Sequence, residues 1–420
     1  MSDITAQIDE ANQQAIQIMM AGQPVWIGCK PALEVIPGMT KNTVLHAGPP
    51  ISWEEMCIPM RNGVLGAVVY EGLANNIDEA QSLVDGGEIL LAPCHSYSSV
   101  GGMTGITSAS MPVHVVHNRK YDTYAYCAPH EGSSPKGFGW GTNDEETIQH
   151  AHWLEDELGP VLDAALEACG GIDLREIIGR SIQMGDELHS RCVAATGHIT
   201  RQLAPHIINL DLPTSMRSRV LEFMLDSDIF ALHVVMAAGR SIIEPAKGVP
   251  YSSVVTTMAR NGVEFGIKVS GLGDTWFTGP AQPIESIFFS PEWNAEVAAP
   301  DIGDSSIVET IGLGGMIHAA SPSYANALNN NFADALAKTE DAYAMCVSEH
   351  NSWMIPYLDF KGIPFGIDVR KVLQLGITPI LDTATVHVNG GKIGIGEARA
   401  PFEAFELALK ALAIEWEVTM

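Results

Sequence analysis

The sequence predicts a mixed α/β (α+β) fold: two α/β lobes, residues 1–142 and 246–420, with a helical domain at 143–245 between them. Three observations carry this expectation. Through residue 142 short apolar runs alternate with helical patterns, the texture of βαβ units on a largely parallel sheet. From 143 to 245 the apolar period is helical throughout. After Pro245 short runs rich in Val, Ile and Thr return, separated by Gly-rich turns.

In order, residues 4–20 read as an amphipathic helix, and Val25–Cys29 and Thr43–His46 as strands. Trp53–Leu65 reads as helix, Gly66–Tyr70 as a buried strand, Ile77–Val84 as helix, and Glu88–Ala92 and Pro112–His117 as extended. Thr142 or Asn143 can cap a helix that starts with Asp144-Glu-Glu146 and ends at Gly170-Gly171. Asp173 and Glu176 have capping-box spacing for the next helix. Two further helices fall near 215–225 and 228–240. Ser253–Thr257 and Glu264–Val269 form a strand pair through an Asn-Gly turn, and Thr378–Val388 forms another with a turn at Asn389-Gly-Gly391. Between the pairs, Phe332–His350 and Asp368–Leu375 read as helices with a strand at Met354–Leu358; Phe402–Ile414 is the last helix.

Composition narrows the function. With 23 Lys and Arg against 50 Asp and Glu, the formal net charge is −27, a field that repels phosphate backbones and anionic membranes. Nucleic-acid binding and membrane association are therefore not expected. The 46% hydrophobic and 17% charged content describe an ordered globular chain. Seven scattered cysteines without a C-x-x-C pair suit reduced thiols, and neither a signal peptide nor a ~20-residue apolar span is visible, so the expected location is the cytoplasm.

No P-loop, H-E-x-x-H, G-x-S-x-G or dinucleotide fingerprint occurs, so no cofactor is identified. The chemistry-bearing residues instead sit at turns. Met184–Arg191 packs Asp186, Glu187, His189 and Arg191 together; read as a helix start after Gly185, it places Glu187 and Arg191 on one face. A cap plus a surface ion pair accounts for the same residues and, on this segment alone, is the better-supported reading, because structural ion pairs mimic active sites. His46 ends a strand before a rigid Gly-Pro-Pro turn, and Glu71 follows an apolar run. His95 precedes Gly101-Gly102, whose backbone N–H groups can cradle an oxyanion. Arg260 and Asn261 lie at a turn with Glu264 behind. Asp301–Gly315 brings Asp304, Glu309, Gly314 and Gly315 together with no basic residue. Asp304 can cap the helix there, and unpaired carboxylates suit Mg²⁺ or a distant arginine, though no spacing specifies a metal.

Several blocks together, Thr43–Ile51, Trp53–Met56, Met184–His189, Met258–Gly262 with Glu264–Gly266, Asp301–Ser305 and Pro364–Asp368, resemble the YlbE-like family of bacterial proteins over almost the whole chain. Two positions depart from its pattern: Gly102 stands where Pro is expected in the glycine loop, and Arg240 where Lys is expected. The family includes a subunit of oxamate carbamoyltransferase. The resemblance implies carbamoyl transfer, oxalurate plus phosphate giving oxamate plus carbamoyl phosphate, with phosphate or carbamoyl phosphate as co-substrate. It also implies partner subunits, one similar to succinyl-CoA ligase chains; a homo-oligomer is the alternative or addition. On this reading Arg191 and Arg260 hold anionic groups. His95 or His189 moves the proton, Glu71 or Glu187 orients it, and glycine N–H groups at 101–102 or 314–315 meet the oxyanion. An amide or ureide hydrolase and a non-catalytic scaffold or regulatory subunit are the competing expectations.

Overall fold

The computed structural model describes residues 2–416 and shows a mixed α/β architecture with several small sheets. A five-stranded sheet is built on Pro24–Pro31, which pairs antiparallel with Pro112–Asn118; that strand pairs antiparallel with Thr123–Cys127. A four-stranded sheet centres on the hairpin Val255–Asn261 and Glu264–Val269, and a three-stranded sheet on Ile380–Val386 and Lys392–Arg399. Both hairpins follow from their turn glycines. Gly262 has φ +81°, and Gly390 and Gly391 have φ +97°, values that L side chains rarely adopt.

The largely parallel sheet expected for the first stretch is corrected: most of the pairing is antiparallel. Parallel pairing is confined to Thr43–His46 with Leu90–Pro93, and Ser99–Val100 with Thr123–Cys127. The first of these pairs matters for function. Both strands end at the same edge; the chain then runs through Ser99–Val100 to the glycine loop at Gly101, which lies beside the turn after His46 because Asp304 accepts both Gly48 N and Gly101 N.

Two further expectations change. Gly66–Tyr70 is no strand but the end of a helix, Ile58–Tyr70, with Pro59 in its first turn. Gly63–Val68 of that helix is buried at every residue, so its apolar run has no visible period and mimics a buried strand. Met184–Arg191 is no helix start either. Helix Leu174–Gln183 stops, Gly185 and Leu188 take φ +95° and +70°, and helix resumes only at Val193. The Glu187 carboxylate explains the break: it accepts the backbone N–H of His189, Ser190 and Arg191 at 2.5, 2.7 and 2.5 Å. A side chain that satisfies its own following backbone competes with helix.

The middle stretch is helical apart from Ile172–Asp173, which adds to the first sheet. Helix Phe230–Ile243 is the spine of the main core. Every residue of it is buried except His233, and it packs against the first sheet and the short helix Ile307–Thr310. That core draws side chains from Ile8 to Trp416, so all three stretches contribute to one packed interior. All seven cysteines are free thiols, and among the described residues no helix is long and apolar enough to cross a membrane.

Candidate active site

A cavity enclosing about 660 Å³ of empty space, open solvent included, lies where the three stretches meet. Gly102, His130 and Glu131 reach it from the first, His189 and His233 from the middle, and Ser305, Thr383 and Lys392 from the last. Met103, Ile229, Leu232 and Ile395 give it an apolar lining against which a few polar groups stand out, the usual composition of a small-ligand site.

Each polar group is held by the local fold. The turn that Glu187 knots places the buried His189 on the wall, and its Nδ1 lies 2.6 Å from Glu309 Oε1. Glu309 is fully buried on the short helix Ile307–Thr310, and the same oxygen accepts Gly315 N and Asp382 N at 3.1 Å each. A carboxylate can only accept, so His189 donates from Nδ1. Nε2 has no partner among the described residues. This is the arrangement of an oriented imidazole, ready to give or take a proton at Nε2.

Lys392 follows the Asn389-Gly-Gly391 turn. Its ammonium stands 4.9 Å over the Trp140 ring and 5.7 Å over Phe289, with no carboxylate partner among the described residues. Burial lowers its pKa from the ordinary lysine value. In a chain so rich in acid, a cation kept from every carboxylate is an anion site in waiting.

Glu131 accepts Phe138 N at 2.7 Å and Gly139 N at 2.8 Å, and burial, only partly offset by these bonds, pushes its pKa to about 7. A Cβ at Gly137 or Gly139 would strike that carboxylate, and one at Gly141 would strike Pro59, which explains the glycines of Gly137-Phe-Gly-Trp-Gly141. The sign of the pH effect follows from the raised value. The folded state keeps the proton above the unfolded value of ~4.5, so this contribution to stability is complete below ~4.5 and lost as pH rises through about 7. The Glu131 contribution to stability, read from urea denaturation between pH 5 and 7, therefore falls with pH by at most roughly 1.4 kcal/mol per pH unit for one proton. In Glu131→Gln that part of the slope disappears; an unchanged slope would place the titration elsewhere.

The other expected site residues are placed as follows. Arg260 is buried with its fork on Asp301, Nε to Oδ2 at 2.7 Å and Nη2 to Oδ1 at 3.0 Å. Arg191 Nη1 is 2.5 Å from Asp186 Oδ1, whose carboxyl burial raises to about 6 while Ala195 N caps it from the next helix. Asp301 occupies the Arg260 fork, Arg191 gives Nη1 to Asp186 and Gly185 O, and neither lines the cavity, so the expected anion clamp is not found there. His95 does not line the cavity; it is buried edge-on to Trp276, 3.5 Å from Asp304, and burial, opposed by Asp304, lowers its pKa. His46 is likewise buried, its Nδ1 on Ala47 O.

Asp304 does not cap a helix. It accepts Gly48 N at 2.7 Å and Gly101 N at 3.0 Å, pinning together the two loops that leave the parallel strands. Glu71 holds Ser108 Oγ, Ser110 N and Ser110 Oγ at 2.6–2.9 Å, and so orients no imidazole. Glu187 serves the backbone rather than the His189 ring, and burial with Asp382 nearby raises its pKa well above the carboxylate range. Asn261 shapes its own turn through Val263 N and Glu264 N, and Glu264 accepts from Thr278. Gly101, Gly314 and Gly315 all donate their N–H groups to protein acceptors. Gly102 alone of the four has none among the described residues, and it lines the cavity.

A trio behind the site, His318, Asp382 and Glu397, has ligand atoms within 4.8 Å of one another, the spacing of a metal site. Lys338 already covers both Glu397 oxygens at 2.6 and 2.7 Å. Burial lowers the His318 pKa, but Asp382 at 2.8 Å and Glu397 outweigh it and the net shift is upward. The trio is thus an ion-pair network that backs Glu309 through Asp382 N. Missed by sequence reasoning were Lys392 just after a glycine turn, His233 inside an apolar helix, and His130 and Glu131 ahead of a glycine cluster. Scarcity of cations was the one signal that could have flagged Lys392.

Residues 89–305 match the family model described as oxamate carbamoyltransferase subunit AllG. The chain is 41% identical over 410 residues to the uncharacterized protein YahG of Escherichia coli (strain K12), covering 97% of this chain and 86% of that one. It is 38% identical over 411 residues to the oxamate carbamoyltransferase subunit AllG of the same organism, covering 97% and 98%. A crystal structure of a conserved protein of unknown function from Enterococcus faecalis V583 superposes with a TM-score of 0.96 at 39% identity, over 98% of this chain and 99% of that one. The chain belongs to the family of the oxamate carbamoyltransferase subunit AllG.

Proposed function

We propose that this chain is a catalytic subunit of a carbamoyltransferase acting on a small carboxylate ureide, converting oxalurate and phosphate to oxamate and carbamoyl phosphate. The observation that carries this reading is one cavity holding both an oriented imidazole, His189 on Glu309, and an unpaired ammonium, Lys392. The reaction needs both. A phosphate oxygen bonds to the carbamoyl carbon, the carbon–nitrogen bond to oxamate breaks, and the leaving nitrogen takes a proton. Lys392 would hold the carboxylate end, His189 Nε2 would take the hydrogen of the attacking hydrogen phosphate and pass it to the leaving nitrogen, and the Gly102 N–H would face the developing oxyanion.

One relative is named as a subunit of oxamate carbamoyltransferase, which supports partner subunits here too, so the assay uses this chain alone and assembled with them. Oxalurate and phosphate should release carbamoyl phosphate in the assembled enzyme. Lys392→Met should raise KM for oxalurate roughly 10- to 100-fold, the loss of one charge-assisted contact, with a smaller effect on kcat. Breakdown of oxalurate by water at a rate independent of phosphate would contradict transfer and indicate a hydrolase. An unchanged KM in Lys392→Met would remove the anion site.

A further inference from the structure

The transfer reading leaves His233 without a role, yet its chemistry is the most narrowly fixed in the cavity. Its Nδ1 is 2.7 Å from Ala128 O, and a carbonyl only accepts, so Nδ1 carries the hydrogen. Burial holds the ring pKa down to about 4, so at neutral pH the second nitrogen, Nε2, carries a lone pair and no proton. No protein donor reaches that lone pair among the described residues. It stands against the backbone of Gly102: a Cβ built there would lie 2.5 Å from Nε2. The glycine in this loop therefore keeps an acceptor uncovered at the cavity wall. Next to it, His130 is 5.2 Å away ring to ring and accepts Gly132 N at Nδ1, so its Nε2 is the hydrogen-bearing nitrogen and is buried without an acceptor. Two imidazoles with opposite, backbone-fixed hydrogen placements line one cavity.

We infer that His233 is the specificity-determining residue that reads nitrogen in the ligand: Nε2 accepts an N–H from an amide or ureide end and turns away a carboxylate in the same place. This rests on the reading of the cavity as a site for small carboxylates. An ionised carboxylate offers only lone pairs, so opposite a fixed acceptor it loses a hydrogen bond and gains repulsion. Amide hydrogens meet the acceptor directly. The end held by Lys392 must be anionic and the end at His233 must carry N–H, which is the asymmetry of oxamate and not of its near-isostere oxalate.

The test is calorimetric binding of oxamate and of oxalate to the full chain. Wild type should favour oxamate by at least roughly tenfold, the effect of one buried hydrogen bond made or opposed. His233→Asn keeps a donor for Ala128 O but has no atom at Nε2, and the preference should fall to within about twofold. Gly102→Ala should do the same with His233 intact, by covering Nε2. Thermal midpoints report whether each variant folds, and His95→Gln, outside the cavity, should keep the wild-type preference. Equal binding of the two ligands by wild type, or a wild-type preference retained by both folded variants, overturns the role of His233 alone. Binding of neither ligand overturns the small-carboxylate reading itself and the inference with it.

Discussion

Replacing Arg260 by Ala is expected to destabilise the fold by about 3–5 kcal/mol, the cost of removing one partner from a buried ion pair. The guanidinium is fully buried. Beyond its two bonds to Asp301 it donates from Nη1 to Gly303 O at 2.8 Å and reaches Ser305 and Thr383 at 3.3 Å. Asp301 is as buried as Arg260, and Thr383 Oγ1 at 2.8 Å cannot replace a lost positive charge. Ser305 and Thr383 line the cavity, so Arg260 supports its wall without touching a ligand. Urea denaturation measures the loss. The double change Arg260→Met with Asp301→Leu should recover most of the stability, because it removes both charges together. If Arg260→Ala kept wild-type stability and only raised KM for an anion, the arginine would be a ligand clamp after all.

The second large effect is catalytic. In the assembled enzyme His189→Gln is expected to lower kcat for carbamoyl phosphate release by roughly 10²- to 10⁴-fold, the usual contribution of a positioned acid/base. Glu309→Gln should lose a comparable factor. The amide no longer fixes the hydrogen on Nδ1, so the proton is presented from the wrong nitrogen or not at all. Because the two act as one unit, the double variant should be little worse than either single one. Multiplicative losses would mean that Glu309 and His189 act separately. His95→Gln, outside the cavity, should retain kcat within a few-fold.

Much of the architecture was legible because local chemistry decides it. The Asn-Gly turn at 261–262 and the Gly pair at 390–391 announced their hairpins, and Asp173 caps its helix through Arg175 N and Glu176 N. Failures came where tertiary context overrode pattern. Gly63–Val68 is buried at every residue and so shows no period, and Glu187 unwinds its own segment through three backbone bonds.

The candidate site divides along the same line. His189, Glu309, Asp304 and the glycine loop were visible as unusual polar residues at turns. What the sequence hides is pairing: which carboxylate meets which imidazole depends on contacts 120 residues apart for His189 and Glu309, and 203 apart for Gly101 and Asp304. For the same reason scarce arginines looked like anion ligands, although Asp301 and Asp186 had already claimed them. Lys392 was overlooked because a lysine beside a turn is ordinarily a solvated flank. Only the fold shows that it is half-buried over Trp140 with no carboxylate in reach.

The measurement that bears most directly on the cavity as the reaction site is the crystal structure of this chain with oxamate bound. The account predicts oxamate between Lys392, His189 and His233, its carboxylate within ~3 Å of Lys392 Nζ and its nitrogen toward His233 Nε2. Oxamate bound at a separate surface, with this cavity empty at saturating ligand, would contradict it.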